Sequence, residues 1–255
     1  MSLPVPPPSP AVPPIADLIV LAGGRGSRLG GAVKPAVEVA GRTLLSRVLD
    51  ARGLADRVVV VGPDSAREAA GPQPAGLLWA LEDPPFGGPV AGIVAGLAAL
   101  DCAAEVEPGL ARNPWLLVLA CDLPWAADAA GLLIVAASAP GQRDGPGQLD
   151  RPGQLDRPGQ LDGPGQLDGF HLVDADGREQ WLAGIYRGDA LRAGVRRLGS
   201  EARGASVRQL LTGLSLRGIR DAGHAGSDVD TWQDVEQSTA LLTPSRSTPR
   251  KSDVT

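Results

Sequence analysis

The sequence predicts an α/β fold with a mostly parallel sheet covered by helices on both faces. Two observations predict it. Short, wholly apolar runs alternate with segments of helical periodicity, and such continuous runs are what strands buried on both faces need. Several of these runs also end directly in glycine or acidic residues, where an open α/β sheet holds its ligands. The 255 residues are 43% hydrophobic but only 3% aromatic, so the core must be packed with Val, Leu and Ala. That supports one domain of about 200 ordered residues.

The first strand is expected at Asp17–Leu21, entering a glycine-rich loop. Arg42–Gly53 places Leu44, Leu45, Val48 and Leu49 on one face, a helical pattern. Arg57–Val61 and Leu77–Leu81 read as strands, and Val90–Leu100 as a helix after the turn at Phe86–Pro89. Trp115–Ala120 is a further buried strand, followed by a helix over Ala126–Ser138. Phe170–Val173 and Trp181–Tyr186 read as strands flanking the turn Asp174–Gly177. Helices are expected over Asp189–Leu198 and Ala205–Leu214, with Thr231 capping a last one that runs to Leu242.

The expected organisation is a Pro-rich disordered leader at 1–14, one domain over 15–242 and a disordered tail at 243–255. A repeat at 140–169 interrupts the domain, with Pro140, Pro146, Pro152, Pro158 and Pro164 each opening a Pro-Gly-Gln-x-Asp unit. Proline and glycine in every unit exclude helix and sheet interiors, so a solvated low-complexity loop is expected.

A net charge of −5 gives no global basic footprint for nucleic acid. The first fourteen residues lack the basic and apolar regions of a signal peptide, and no apolar run approaches the length that crosses a bilayer. Cys102 and Cys121 have no metal-type spacing; buried free thiols and a cytoplasmic protein are the expectation.

The loop Leu21-Ala-Gly-Gly-Arg-Gly-Ser-Arg-Leu-Gly-Gly-Ala-Val-Lys34-Pro35 carries most of the chemistry. Gly23, Gly24, Gly26, Gly30 and Gly31 let backbone N–H groups approach an anion such as a polyphosphate. Lys34 adds a point charge. Only Lys34 and Lys251 among 24 basic residues are lysines, so a compact ammonium is used here in a chain that otherwise uses arginine. The P-loop does not fit, because Lys34 follows Val33 and precedes Pro35; G-x-G-x-x-G fails by one residue across Gly24, Gly26 and Gly30.

Acidic residues mark later strand ends. Asp122, after Trp115–Ala120, is placed to hold a hard divalent cation that bridges phosphates, or else to cap the following turn. Glu82-Asp83 follows another strand, and Asp83 can accept hydrogen bonds from a guanine edge or a ribose hydroxyl, or start a turn. Asp228 and Asp230 alternate along an extended stretch and so point the same way, toward a cation or toward solvent. His171 and His224 read as structural or surface residues, and no Gly-x-Ser-x-Gly elbow supports covalent hydrolysis.

The ordered set Leu21-Ala-Gly-Gly-x-x-x-Arg28-x-Gly30 with Lys34, Glu82-Asp83, Gly88-Pro-x-Ala-Gly92, Cys121-Asp122-x-Pro124 and Asp228-Val-Asp-Thr231 resembles the molybdenum cofactor guanylyltransferases. The resemblance runs from Asp17 to Leu242 outside the repeat. It implies a Rossmann-like three-layer sandwich of the nucleotide-diphospho-sugar transferase type. It also implies Mg²⁺-dependent transfer of GMP from GTP to molybdenum-molybdopterin, with release of pyrophosphate. By that likeness Leu21, Ala22 and Gly23 contact GTP through backbone groups, Lys34 neutralises its phosphates and Asp83 binds the nucleoside. Asp122 ligates Mg²⁺, so Lys34 and Asp122 are the catalytic candidates and Asp228 or Asp230 further metal ligands. Implied partners are GTP, molybdenum-molybdopterin, and a molybdoenzyme or other proteins of the cofactor pathway.

The sequence departs from the family pattern in places. Val61-Gly62-Pro63 lacks an asparagine often found after the second strand, Asp228 and Asp230 replace asparagines, and Trp232 stands in place of a proline. Gln180-Trp181-Leu182 stands where a Gln-Pro-Leu segment is expected. Two other readings remain open here: a cytidylyl- or sugar-phosphate nucleotidyltransferase, and a non-catalytic nucleotide-binding scaffold.

Overall fold

The computed structural model describes residues 16–23, 29–72, 76–106, 112–139 and 167–243. The leader, Gly24 to Arg28 of the glycine loop, nearly all of the repeat and the tail after 243 lie outside the described residues. In chain order the described elements are β1 (Ala16–Leu21), β2 (Glu38–Val39), β3 (Arg42–Thr43), α1 (Leu44–Val48), β4 (Val58–Val61), α2 (Asp64–Ala69), β5 (Leu77–Ala80), α3 (Pro89–Val106), β6 (Trp115–Ala120), α4 (Ala126–Ala137), β7 (Gly169–Val173), β8 (Glu179–Arg187), α5 (Gly188–Leu198), α6 (Val207–Leu210), β9 (Leu216–Arg220) and α7 (Trp232–Leu242).

A seven-stranded sheet has the order β5-β4-β1-β6-β8-β7-β9. β1 pairs in parallel with β4 and β6, and β4 with β5; β8 is antiparallel to both β6 and β7, and β9 is parallel to β7. The mostly parallel sheet is therefore as the apolar runs predict. From β1 the chain moves outward to β4 and β5, then returns to β6 on the other flank. The strand order thus reverses between β1 and β6, which opens a crevice at their carboxyl ends.

Alternation along the strands feeds two cores. Leu18, Val20, Val58, Val60, Leu117 and Leu119 pack on the face covered by α1, α2 and α4. Ile19, Leu21, Val59, Val61, Leu116 and Val118 pack on the opposite face, against α3, α5 and α6. Each such side chain removed from water contributes roughly 1.5–3 kcal/mol. Small residues set the spacing between layers. A Cβ on Gly96 of α3 would stand 2.8 Å from Ile19 Cγ2, so the helix lies directly on β1.

Several elements differ from the sequence reading. The segment 42–53 begins in the β2–β3 hairpin and continues as α1 and a 3₁₀ helix (Leu49–Leu54), although Leu44, Leu45, Val48 and Leu49 are buried as expected. The helix expected at Ala205–Leu214 shortens to α6, opened by a capping box between Ser206 and Gln209. α2 and β9 have no counterpart in that reading. β9 is an edge strand whose Arg217 and Arg220 break the apolar signal, and charged edges of this kind resist unwanted pairing. α3 is longer than expected and, by length and composition alone, apolar enough to cross a membrane; six of its residues are buried against the sheet. Of the two free cysteines Cys121 is buried, but Cys102 is exposed, because it lies on the solvent side of α3.

His171 is a buried residue of β7, 3% exposed, with neither ring nitrogen hydrogen-bonded among the described residues. Its ring lies 4.2 Å from that of Trp181. Burial lowers its pKa to about 4. The unfolded chain takes up this proton near pH 6.5, so stability from the neutral ring is present above that pH and is lost as pH falls toward 4. We expect the unfolding free energy from urea titrations to drop across this window, by up to about 3 kcal/mol from this group. His171→Leu should flatten that part of the profile.

Candidate active site

Lys34 sits just beyond the part of the glycine loop that turns back toward the sheet. Gly30 and Gly31 hold φ of +67° and +82°, conformations that a side chain strains, and Val33–Val37 then closes a 3₁₀ turn around buried Pro35. The turn packs in a small core of its own, where Leu29, Val37, Val39 and Leu44 meet Val229, with Val235 and Leu242 of α7 alongside. Hence the segment carrying Lys34 is held by residues from the far end of the chain.

Asp122 follows β6 after a single residue, Cys121. Its carbonyl accepts the Val229 N–H at 2.9 Å, which seats the Asp228–Asp230 stretch beside it. α7 fixes the other end of that stretch. Thr231 caps the helix in a reciprocal box with Asp234, whose carboxylate also accepts the Asp230 N–H at 3.0 Å. Thr231 therefore caps as expected, with the helix starting at Trp232.

The result is a cluster of opposite charges. Lys34 Nζ lies 2.7 Å from Asp122 Oδ2 and 2.5 Å from Asp230 Oδ1. Carboxylate oxygens of Asp122, Asp228 and Asp230 lie within 4.8 Å of one another. Burial opposes the charge on Lys34, but Asp122 and then Asp230 more than offset it, holding the ammonium above the ordinary lysine range. Burial, then repulsion from Asp122 and Asp230, pushes the Asp228 carboxyl above the usual carboxylate range. Three hard oxygen donors so close together suit a divalent cation such as Mg²⁺, which takes carboxylates and phosphate oxygens in preference to softer ligands.

Lys34, Asp122 and Asp230 line one part of a cleft of about 610 Å³ at the carboxyl ends of β1, β4, β5 and β6, with Asp228 exposed just outside its lining. Leu21, Gly23, Lys34, Asp122 and Asp230 all face it. Ala22 is buried, and its N–H is already bonded to Val61 O at 2.8 Å, so among its backbone groups the N–H is committed to the sheet. Asp83 is exposed and does not line the cleft; its neighbour Glu82 does. Gly24, Gly26 and Arg28 lie outside the described residues.

Some cleft residues were missed in the sequence reading. Gly62 and Pro63, passed over there for lack of an asparagine, form part of the wall, and a Cβ on Gly62 would stand 2.9 Å from Ala22 O. Glu82 Oε2 accepts the Gly87 N–H at 2.7 Å and so folds the 82–88 loop over the cleft. Arg203 holds the same loop from outside, donating to Pro84 O at 2.6 Å and Pro85 O at 3.3 Å. Nothing in the sequence ties Arg203 to a loop 119 residues earlier.

A protein-family model described as MobA-like NTP transferase domain matches residues 18–153, more than half of the chain. The chain belongs to the MobA-like NTP transferase family. The matched stretch holds Lys34, Glu82, Asp83 and Asp122 and stops short of Asp228 and Asp230. A molybdenum cofactor guanylyltransferase of Pseudomonas paraeruginosa is 40% identical over 119 residues, which is 46% of this chain and 52% of the relative. The chain thus spans about half the length of the curated relatives it matches. Among solved structures, molybdopterin-guanine dinucleotide biosynthesis protein A from Archaeoglobus fulgidus superposes with a TM-score of 0.55 at 17% identity, over 88% of this chain and 97% of that one. The 4-diphosphocytidyl-2C-methyl-D-erythritol synthase of Anaerococcus prevotii superposes with 0.57 at 14% identity, over 89% and 95%. Two different named activities share this architecture, so these likenesses establish the Rossmann-like fold of MobA-like transferases and leave the substrate to other arguments.

Gly62→Ala tests how tightly the ends of β1 and β4 must meet. Its methyl group would press on Ala22 backbone, and we expect a loss of about 1–3 kcal/mol in urea unfolding.

Proposed function

We propose that this MobA-like transferase is an Mg²⁺-dependent molybdenum cofactor guanylyltransferase, moving GMP from GTP to molybdenum-molybdopterin and releasing pyrophosphate. The observation that carries the reading is Lys34 bridging two of three clustered aspartates at the mouth of a strand-end cleft. The names of the relatives support guanine as the base and the molybdenum cofactor as the acceptor.

In this reaction an oxygen of the acceptor's terminal phosphate attacks the α-phosphorus of GTP. A new P–O bond forms as the bond to the bridging oxygen of pyrophosphate breaks. The attacking group is already an anion, so no strong base is required; alignment and charge neutralisation do the work. Lys34 has three N–H donors, and with two directed at Asp122 and Asp230 it keeps one for a phosphate oxygen. Asp122, with Asp228 or Asp230, would hold Mg²⁺, and the ion would supply positive charge against that of the phosphates. Gly23 leaves room for phosphate at the loop, since a Cβ there would have Glu82 Oε1 3.7 Å away as its nearest neighbour. Asp83 is proposed to contact the nucleoside from the rim of the cleft, along with the backbone of Leu21, Ala22 and Gly23.

Pyrophosphate release measured with each of the four NTPs, Mg²⁺ and molybdenum-molybdopterin should occur with GTP alone. Use of CTP or of a sugar phosphate instead would overturn the assignment. Lys34→Ala and Asp122→Asn should each lower turnover by roughly a hundredfold or more, the scale for losing one charge-stabilising group. Removing the divalent cation with EDTA should stop the reaction, and added Mg²⁺ should restore it.

A further inference from the structure

One wall of the cleft is a loop without regular secondary structure, from which Glu82, Pro85, Phe86 and Gly88 face the site. Two consecutive prolines, Pro84 and Pro85, bring no N–H to it, so its carbonyls need donors from elsewhere. The donors come from the other half of the chain. Arg203 donates to Pro84 O at 2.6 Å and to Pro85 O at 3.3 Å, and the Gly204 N–H donates to Gly87 O at 2.8 Å. Three carbonyls of one cleft wall are thus held by two adjacent residues that lie outside the stretch matched by the family model.

The local structure on both sides fits this clasp. Ala202 and Ala205 are buried in the same core as Ile93 and Leu97 of α3, which anchors the segment between them. Gly204 holds a φ of +80°, a conformation that glycine adopts without strain. A Cβ on Gly87 would stand 3.2 Å from Arg203 Nη1 and 3.4 Å from Arg203 Cγ, so the arginine stem lies close against the loop. A planar guanidinium can meet two successive carbonyls at once, which the single ammonium of a lysine does less well. Arg203 is exposed and does not line the cleft, so it can act on a ligand only through the loop.

We propose that Arg203 is a positioning residue for nucleotide binding, holding the 82–88 loop in the shape that receives the nucleoside end of the nucleotide. This rests on the nucleotidyltransferase reading of the cleft but not on the identity of the base. With the clasp closed, the loop is ordered before the ligand arrives, and binding does not bear that ordering cost. Lys34 and the three aspartates are carried by other segments, so opening the clasp leaves the reacting groups in place. Loop contacts contribute alike to ground and transition states; their loss raises KM and leaves kcat intact.

Steady-state kinetics and calorimetric titration of the full chain with GTP and with CTP, each with Mg²⁺, test the role. Arg203→Ala should raise KM and weaken binding of the nucleotide by roughly tenfold or more, with kcat within about twofold of wild type. Its thermal midpoint should stay close to that of wild type, because the side chain is exposed. Arg203→Lys should recover part of the affinity. Hydrogen exchange across residues 83–92 should quicken in Arg203→Ala and slow again in Arg203→Lys. Unchanged KM and affinity in Arg203→Ala, or a fall in kcat together with the thermal midpoint, overturns the positioning role. If wild-type protein uses CTP and not GTP, and Arg203→Ala raises KM for CTP, the guanylyl assignment fails and the positioning role stands. Binding of neither nucleotide by wild-type protein overturns both.

Discussion

Three carboxylates come within 4.8 Å of one another at the end of the sheet, and Lys34 is what makes that convergence tolerable. Asp122, Asp228 and Asp230 repel one another, and burial together with that repulsion holds the Asp228 carboxyl above the usual carboxylate range. The ammonium bonded to two of them offsets it. Remove the lysine and the site is a concentrated negative charge facing an incoming polyphosphate. With the lysine in place the negative charge of the cluster is partly offset, which is what the proposed reading of the cleft as a phosphate site requires.

Much of the surrounding architecture serves to bring that lysine and those aspartates together. Asp122 is delivered by the central sheet, and Lys34 by a 3₁₀ turn on a small separate core. Asp228 and Asp230 are delivered by a stretch tied at one end to Asp122 O and at the other to the capped start of α7. The Lys34–Asp230 contact spans 196 residues of sequence. α7 and the β2–β3 hairpin are small elements, yet they close the site; Ala40 N–H donating to Thr239 Oγ1 at 3.1 Å is one of the bonds that joins them.

The opposite end of the sheet carries charge of another kind. Buried Asp17 is bonded to Arg57 and Asn113, and Asp101 to Arg192. These pairs are matched among themselves at the amino ends of the strands, away from the crevice. The contrast shows why position within an open sheet, rather than the presence of acidic and basic groups, distinguishes a ligand site from a structural network.

Legibility in the sequence followed the strength of the local physical signal. Wholly apolar runs such as Val58–Val61 and Trp115–Ala120 read as strands buried on both faces, and the structure places both inside the sheet, each paired with a strand on either side. The Thr231 cap was readable because capping needs a specific oxygen three residues before a partner. β9 was not, since an exposed edge strand containing two arginines and a glycine carries no periodic apolar signal. α6 was overestimated because Leu210, Leu211 and Leu214 suggest a longer helix, whereas Leu214 is reached through a turn at Gly213, whose φ is +86°.

By itself the sequence determined the α/β class, the strand-end location of Lys34 and Asp122, and the pairing of Asp228 with Asp230 on one side of an extended stretch. Each depends on neighbours within a few residues. Only the tertiary structure decided that Lys34 bonds both Asp122 and Asp230, that Glu82 rather than Asp83 lines the cleft, and that Arg203 holds the loop bearing Phe86. Those are contacts between segments separated by roughly ninety to two hundred residues or settled by a single loop's direction, and no local pattern of apolar and charged residues encodes them.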